Sequence, residues 1–106
     1  MASNPEILTA LKNHLRQGFG DKIEDVILFG SQTKGTRHDY SDYDILIVLD
    51  GNYSGRDENQ IMVLCYDIDL QFNIILDIHI LSNSELKSVR GRQPVFANAI
   101  KSGIYA

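Results

Sequence analysis

The hydrophobic positions of this chain recur every three to four residues in several stretches, the spacing of a helix with one buried face. We predict helices over residues 4–17, 59–72, 82–88 and 94–103. Asn4 is expected to cap the first helix because it precedes Pro5, a residue suited to the first helical turn. Ser82, with Glu85 three positions later, has the pattern of a capping box. A glycine-containing loop over residues 50–57 is expected before the second helix.

Three stretches between these helices have the composition of strands. The first is the block Val26 to Phe29, which reaches Gly30. The second, DYDILIVLD over residues 42–50, is apolar on both faces after its first residues, as in the centre of a sheet. In the third, residues 73–81, apolar and polar positions alternate, and the polar face carries Asp77 and His79. The pattern predicts an α/β (α+β) fold, a small sheet covered by helices.

The length of 106 residues suits one core, so residues 1–106 are expected to form a single domain. Hydrophobic residues make up 43% of the chain and charged residues 23%, the balance of a folded protein. The longest apolar run has six residues, whereas a membrane-spanning helix needs roughly 20. With one cysteine, Cys65, and no secretory pattern at its start, the chain is expected to be a cytoplasmic protein without a membrane partner.

The formal net charge is −4, and the ten lysines and arginines are scattered along the chain. A long nucleic acid requires a clustered positive surface, so it is not an expected partner. Aspartates, by contrast, are dense in one short stretch, at Asp39, Asp42, Asp44 and Asp50. Their mutual repulsion favours a bound cation among them.

Asp42 and Asp44 stand two positions apart in a strand, so both side chains project from one face with their Cα atoms roughly 6–7 Å apart. If the third strand lies beside the second, Asp77 adds a carboxylate to that face. Three carboxylates in one place are costly without cations, and oxygen ligands of this kind favour Mg²⁺, with Mn²⁺ as an alternative. Two such ions about 4 Å apart would hold the attacking and leaving oxygens of a phosphoryl-type displacement.

A second set of residues, at the end of the first strand, suits a triphosphate. Gly30 lets the backbone approach a phosphate closely, and Ser31 offers a hydroxyl at the start of a helical turn. Lys34 and Arg37, in the same loop, supply positive charge for the β- and γ-phosphates.

The segment FGSQTKGTRHDYSDYDILIVLD resembles the signature of the polymerase-β-type nucleotidyltransferases, in which Gly-Ser precedes Asp-x-Asp by ten residues and a third Asp lies in a later strand. Nearly the whole chain is similar to the minimal nucleotidyltransferases of that superfamily. The resemblance implies a small mixed β-sheet flanked by helices, the polymerase-β core. It implies that Gly30 and Ser31 grip the triphosphate, that Asp42 and Asp44 hold two Mg²⁺ ions, and that Asp77 helps to activate an acceptor hydroxyl.

The same resemblance implies a partner. Minimal nucleotidyltransferases are commonly paired with a helical HEPN ribonuclease as antitoxin and toxin, and some transfer AMP from ATP to a tyrosine of the toxin. Two other functions stay open: a non-catalytic antitoxin that binds nucleotide, and a transferase for small molecules of the aminoglycoside type, assembled as a homo-oligomer.

Other polar residues have simpler interpretations. His79 is expected to be a packed bystander beside Asp77, and Cys65 a core residue. Tyr43 should pack on the face opposite its neighbours Asp42 and Asp44. Asp67 and Asp69 lie in a helix, where positions two apart diverge by about 200°, so they cannot share a metal and are expected to be surface charges. Arg90 and Arg92 suit a solvated turn.

Overall fold

The computed structural model describes residues 3–29, 43–88 and 93–106. The expected phosphate-binding residues and one of the paired aspartates lie outside these ranges: Gly30, Ser31, Lys34, Arg37 and Asp42. Arg90 and Arg92 lie outside them as well. Along the chain the elements are α1 (Asn4–Gly18), β1 (Ile23–Phe29), β2 (Tyr43–Leu49), α2 (Gly55–Phe72), β3 (Leu76–Ser82), α3 (Asn83–Leu86), α4 (Pro94–Ser102) and β4 (Ile104–Tyr105).

The four strands form one mixed sheet in the order β3-β2-β1-β4, which confirms the predicted fold class. β1 is antiparallel to both β2 and β4, whereas β2 and β3 are parallel. The parallel pair is joined by α2, because parallel neighbours need a crossover connection. β2 is central and buried on both faces except at Asp44, as its continuous apolar sequence predicts.

Helices cover both faces of the sheet. α1 and α2 pack on one face, over a core that includes Tyr43, Ile45 and Ile47 of β2. α4 packs on the other face, where Phe96 meets Leu46 of β2 and its neighbours. Because successive strand residues point to opposite faces, Asp44 projects to the α4 side together with Leu46.

Local sequence signals start the helices, although several element boundaries differ from the predictions. β3 begins at Leu76, three residues after the predicted start at residue 73. Ser3, rather than Asn4, is the N-cap of α1 and accepts a hydrogen bond from the backbone N–H of Glu6. α2 begins at Gly55, within the predicted loop, because Ser54 and Asp57 form a capping box there. β1 begins at Ile23, three residues before the predicted Val26. The box of Ser82 with Glu85 is confirmed, as is the start of α4 at Pro94.

The outer face of α2 carries large apolar side chains that remain exposed. Met62, Val63, Tyr66 and Leu70 are 46%, 63%, 60% and 65% exposed, respectively. Their spacing of three and four residues places them along one side of the helix, away from the buried Ile61 and Cys65. Among the described residues, no helix combines the length and hydropathy needed to cross a membrane.

Candidate functional site

Asp44 and Asp77 meet across the parallel strands β2 and β3. They are directly paired in the register of the two strands, near the N-terminal end of each. On the other side of β2, the partner of Asp44 is Phe29, the last residue of the antiparallel β1. Three strands therefore bring their residues to the same end of the sheet, on the face that α4 covers. Asp44 is partly buried, whereas the side chain of Asp77 is 52% exposed.

This arrangement settles a condition that the sequence left open. The third strand does lie beside the second, so the carboxylates of Asp44 and Asp77 share one face. Asp42, Gly30 and Ser31 lie outside the described residues. β1 ends at Phe29 and β2 begins at Tyr43, so the described residues on either side of these positions lie beside Asp44.

His79, expected to be a bystander, belongs to the same cluster. Its Nε2 atom lies 3.7 Å from Oδ2 of Asp77, and each of Asp44, Asp77 and His79 offers one donor atom within 4.8 Å of the others. The imidazole lies between two aromatic rings, with centroid distances of 5.7 Å to Phe29 and 5.8 Å to Phe96. The signal in the sequence was its position two residues after Asp77, which puts both side chains on one strand face.

The donor set suits a divalent cation. Carboxylate oxygens are preferred by Mg²⁺ and Mn²⁺, and imidazole nitrogen is a common ligand of transition ions. Two carboxylates on one face would repel each other, and a cation between them removes that cost. Asp44 and Asp77, with His79 beside them, therefore fit the metal site that the sequence predicts at this edge.

The other acidic residues of the described chain do not join this site. Asp67 Oδ2 lies 2.8 Å from Nε2 of His14 on α1. Asp69 accepts a hydrogen bond of 3.1 Å from the backbone N–H of Leu76, so it links α2 to β3 and is more than a surface charge. Asp67 and Asp69 therefore have separate partners, which agrees with the interpretation that they cannot share a metal. Asp50 follows β2 at the opposite end of the sheet and accepts a hydrogen bond from Nδ2 of Asn83.

Two further sequence interpretations concern the core, and both are confirmed. Tyr43 is 2% exposed and packs among the residues beneath α1 and α2. Cys65 is buried on α2, and burial, aided by the negative charge of Asp69, raises the pKa of its thiol to about 12. Because a thiol with that pKa remains protonated at neutral pH, Cys65 is excluded as a nucleophile.

Comparison with known proteins identifies the family. The sequence model of the nucleotidyltransferase domain matches residues 8–102. The Methanocaldococcus jannaschii protein named "Putative protein adenylyltransferase MJ1305" is 43% identical over 42 residues, which make up 40% of this chain and 29% of that protein. The matched segment therefore spans less than a third of the length of that relative.

Two solved structures resemble the fold. A crystal structure of a toxin-antitoxin with AMP-PNP has a TM-score of 0.59 at 20% identity, over 92% of this chain and 69% of that chain. A mutant of the toxin-antitoxin MntA-HpeT has a TM-score of 0.56 at 18% identity, over 88% of this chain and 66% of that chain. The family match extends from within α1 to the end of α4 and includes all three strands around the carboxylates, and on this basis the chain belongs to the nucleotidyltransferase domain family.

Proposed function

We propose that this chain is a Mg²⁺-dependent nucleotidyltransferase that transfers AMP from ATP to a hydroxyl group of a partner protein. The observation that carries the proposal is the pairing of Asp44 with Asp77 at one end of the sheet, in a chain of the nucleotidyltransferase domain family. A cation would offset the repulsion between two carboxylates that converge from parallel strands, and phosphoryl-type transfer uses such cations.

The residues divide into two groups by role. Asp42, Asp44 and Asp77 would hold the divalent ions, which would neutralise charge on the phosphate oxygens and stabilise the leaving pyrophosphate. The triphosphate would be bound by Gly30, Ser31, Lys34 and Arg37. Backbone N–H groups, a hydroxyl and two positively charged side chains suit its negative charge. These four residues and Asp42 enter the proposal from the sequence alone.

Atoms and charge balance in the proposed transfer of AMP from ATP to the acceptor hydroxyl. The acceptor oxygen attacks the α-phosphorus of ATP, the bond from that phosphorus to the bridging oxygen breaks, and pyrophosphate leaves. Asp77, the more exposed of the two described carboxylates, would accept the proton of the acceptor hydroxyl. Asp44, which is partly buried, would face the nucleotide.

ATP as the donor is supported by the likeness to a toxin-antitoxin structure that contains AMP-PNP, an ATP analogue. The MntA-HpeT mutant carries glutamate in place of two aspartates two positions apart, the spacing of Asp42 and Asp44. Transfer to a protein is supported by the name of the archaeal relative, a protein adenylyltransferase.

A HEPN-type toxin is the partner we propose, with this chain as its antitoxin. Both solved relatives are toxin-antitoxin structures. The exposed apolar side chains of α2, among them Tyr66 and Leu70, form a surface of the kind that protein interfaces cover.

The proposal is tested by label transfer. The purified chain would be incubated with α-³²P-ATP, Mg²⁺ and a lysate of its source organism, and the products separated by electrophoresis. We expect a labelled protein band with α-labelled ATP and no such band with γ-labelled ATP, because AMP and not phosphate is transferred. Asp44→Asn should reduce labelling at least about a hundredfold. Asp67→Asn, which removes a carboxylate from the surface of α2, should label like the wild type.

Other outcomes would overturn the proposal in recognisable ways. Label in a small molecule, with no protein band, would indicate a transferase of the aminoglycoside type. Absence of any labelled product, together with equal toxin neutralisation by the wild type and Asp44→Asn, would indicate an antitoxin that acts by binding alone.

A further inference from the structure

We propose that His79 is a ligand of the divalent ion at this site and that its nitrogen makes the site favour Mn²⁺ over Mg²⁺. The inference rests on the metal site of the proposed function and adds to it a residue that the sequence interpretation set aside. The observation behind it is the cluster of Asp44, Asp77 and His79, whose donor atoms lie within 4.8 Å of one another.

The imidazole of His79 is held in place from both sides. The rings of Phe29 and Phe96 lie at 5.7 and 5.8 Å from it, and the phenylalanines themselves are only 7% and 6% exposed. Phe29 is fixed at the end of β1, and Phe96 is fixed in the first turns of α4. A side chain held in this way loses little further freedom when it binds an ion, so it is pre-organised as a ligand.

The distance between His79 and Asp77 suits two ligands of one ion better than a direct hydrogen bond. Nε2 and Oδ2 are 3.7 Å apart, whereas hydrogen bonds between nitrogen and oxygen span about 2.7–3.2 Å. Two donors that are each about 2.1 Å from a common ion lie at most about 4.2 Å apart. The observed 3.7 Å falls within that limit, and a carboxylate oxygen of Asp44 lies within 4.8 Å of both donors.

The chemistry of the donors sets the preference for the metal. Mg²⁺ strongly prefers oxygen ligands, whereas ions of the first transition series accept imidazole nitrogen readily. A site with two carboxylates and one imidazole should therefore bind Mn²⁺ more tightly than Mg²⁺, and removal of the imidazole should weaken Mn²⁺ binding more than Mg²⁺ binding.

The test measures Mn²⁺ binding to the full chain without nucleotide. Electron paramagnetic resonance measures the concentration of free Mn²⁺ during a titration. Electron spin echo envelope modulation then detects magnetic coupling between the bound Mn²⁺ and ¹⁴N. We expect imidazole nitrogen coupling in the wild type, loss of that coupling in His79→Gln, and a fall in Mn²⁺ affinity of about tenfold or more. Mg²⁺ affinity, measured by competition, should fall by a smaller factor.

His14→Gln is the matched control. His14 also faces an aspartate, with Nε2 2.8 Å from Oδ2 of Asp67, but it lies on α1, away from the cluster. This variant should keep both the nitrogen coupling and the Mn²⁺ affinity of the wild type.

Either of two results would overturn the inference: no nitrogen coupling in the wild type, or coupling that persists in His79→Gln. The first needs no variant, so it stands even if His79→Gln folds poorly. The label-transfer assay in Mg²⁺ separates this inference from the proposed function. Transfer without nitrogen coupling would reject only the role of His79, whereas nitrogen coupling without transfer would reject only the enzymatic function.

Discussion

At the scale of single residues, Asp44 and Asp77 carry the same chemical group in different surroundings. Asp44 lies between β1 and β3 on the central strand and is partly buried, while Asp77 lies on an edge strand with its side chain 52% exposed. Under the proposed function, the exposed carboxylate would face the acceptor, and the shielded one would face the nucleotide and its metal. Asp44 and Asp77 should therefore contribute differently to ATP binding and to AMP transfer.

Asp77→Asn should bind ATP in the presence of Mg²⁺ nearly as well as the wild type, yet transfer AMP about 10²–10⁴ times more slowly, the usual range for the loss of a general base. Asp44→Asn should weaken nucleotide binding itself. Calorimetric titration with ATP and single-turnover label transfer would measure the two effects separately. If Asp77→Asn transferred label at the wild-type rate, Asp77 would be an ordinary strand residue.

At the scale of elements, the connection between α2 and β3 sets the position of Asp77. α2 ends at Phe72 and is capped by Asn73, whose φ of 54° is in the left-handed region. Three residues later, the backbone N–H of Leu76 donates to Oδ1 of Asp69, a helix residue one turn back. The turn is therefore closed by a side chain, and β3 enters the sheet in the register that pairs Asp77 with Asp44.

Asp69 should make the stability depend on pH in a defined direction. Burial raises the pKa of its carboxyl above the ordinary 3.8 and outweighs the hydrogen bond from Leu76, which lowers it. The folded protein thus holds this proton more tightly than the unfolded chain, so the carboxyl favours folding at low pH and loses that contribution as the pH rises. Its negative charge in the last turn of α2 is also unfavourable to the helix dipole.

We therefore expect Asp69→Asn to be at least as stable as the wild type at pH 7, because the amide oxygen can still accept from Leu76. The difference in the free energy of unfolding between Asp69→Asn and the wild type should disappear below pH 3.8, where the Asp69 carboxyl is protonated in both the folded and the unfolded state. Asp69→Ala should cost about 1–3 kcal/mol, since the N–H of the buried Leu76 loses its acceptor. Urea unfolding over a pH series would measure all three proteins, and a less stable Asp69→Asn at pH 7 would contradict the prediction.

A second prediction at this scale concerns Gly103, where the chain passes from α4 to β4. A Cβ atom at this position would overlap the carbonyl oxygen of Ala99 and the Cγ2 atom of Ile27, and would lie 3.0 Å from the carbonyl oxygen of Leu28. Two of these atoms are backbone, so they cannot turn away as a flexible side chain would. Gly103→Ala should lower the free energy of unfolding by about 1–3 kcal/mol.

Gly55→Ala is the control for that substitution. A Cβ at Gly55 meets nothing within 4 Å, and the residue opens α2, where alanine is the better helix former. Thermal unfolding should show Gly55→Ala as neutral or stabilised and Gly103→Ala as destabilised. Equal melting temperatures for the two variants would mean that α4 and β4 can move apart at little cost.

At the scale of the whole molecule, the sheet has helices on both faces and places the proposed site at one of its ends. The carboxylates there repel both each other and a triphosphate, so metal and nucleotide should each bind poorly without the other. A ligand that binds only the folded state raises the free energy of unfolding by about 2.7 kcal/mol when its free concentration is a hundredfold above its Kd. Ligands that depend on one another should therefore stabilise the protein in a non-additive way.

We expect Mg²⁺ and ATP together to raise the Tm by more than the sum of their separate effects, as measured by differential scanning calorimetry. Adenosine, which lacks phosphates, should give no such synergy with Mg²⁺. Asp44→Asn should lose most of the synergy although it remains folded. A Tm that rises equally with ATP alone would contradict a role for the metal in nucleotide binding.

The sequence by itself determined the features that depend on neighbours in the chain. Apolar periodicity predicted the helices and the central strand, and the Ser82–Glu85 and Pro94 signals predicted helix starts because caps form between residues three or four apart. The motif spanning Gly30 to Asp44 indicated nucleotidyl transfer through its resemblance to the polymerase-β-type nucleotidyltransferases, and that resemblance rests on the order and spacing of residues within one short segment. The sequence does not predict the helix start at Ser54, because Gly51 and Gly55 give its surroundings the composition of a loop.

Tertiary structure alone decided which strands are neighbours and which side chains meet between them. The parallel pairing of β2 with β3 brought Asp77 to Asp44, and the packing of Phe29 and Phe96 brought His79 into the same cluster. The pairing with β1 likewise defines β4, because a segment of two residues is too short for its sequence pattern to predict a strand. These contacts join residues at least 17 positions apart, and their energies depend on the whole core rather than on any local run of sequence.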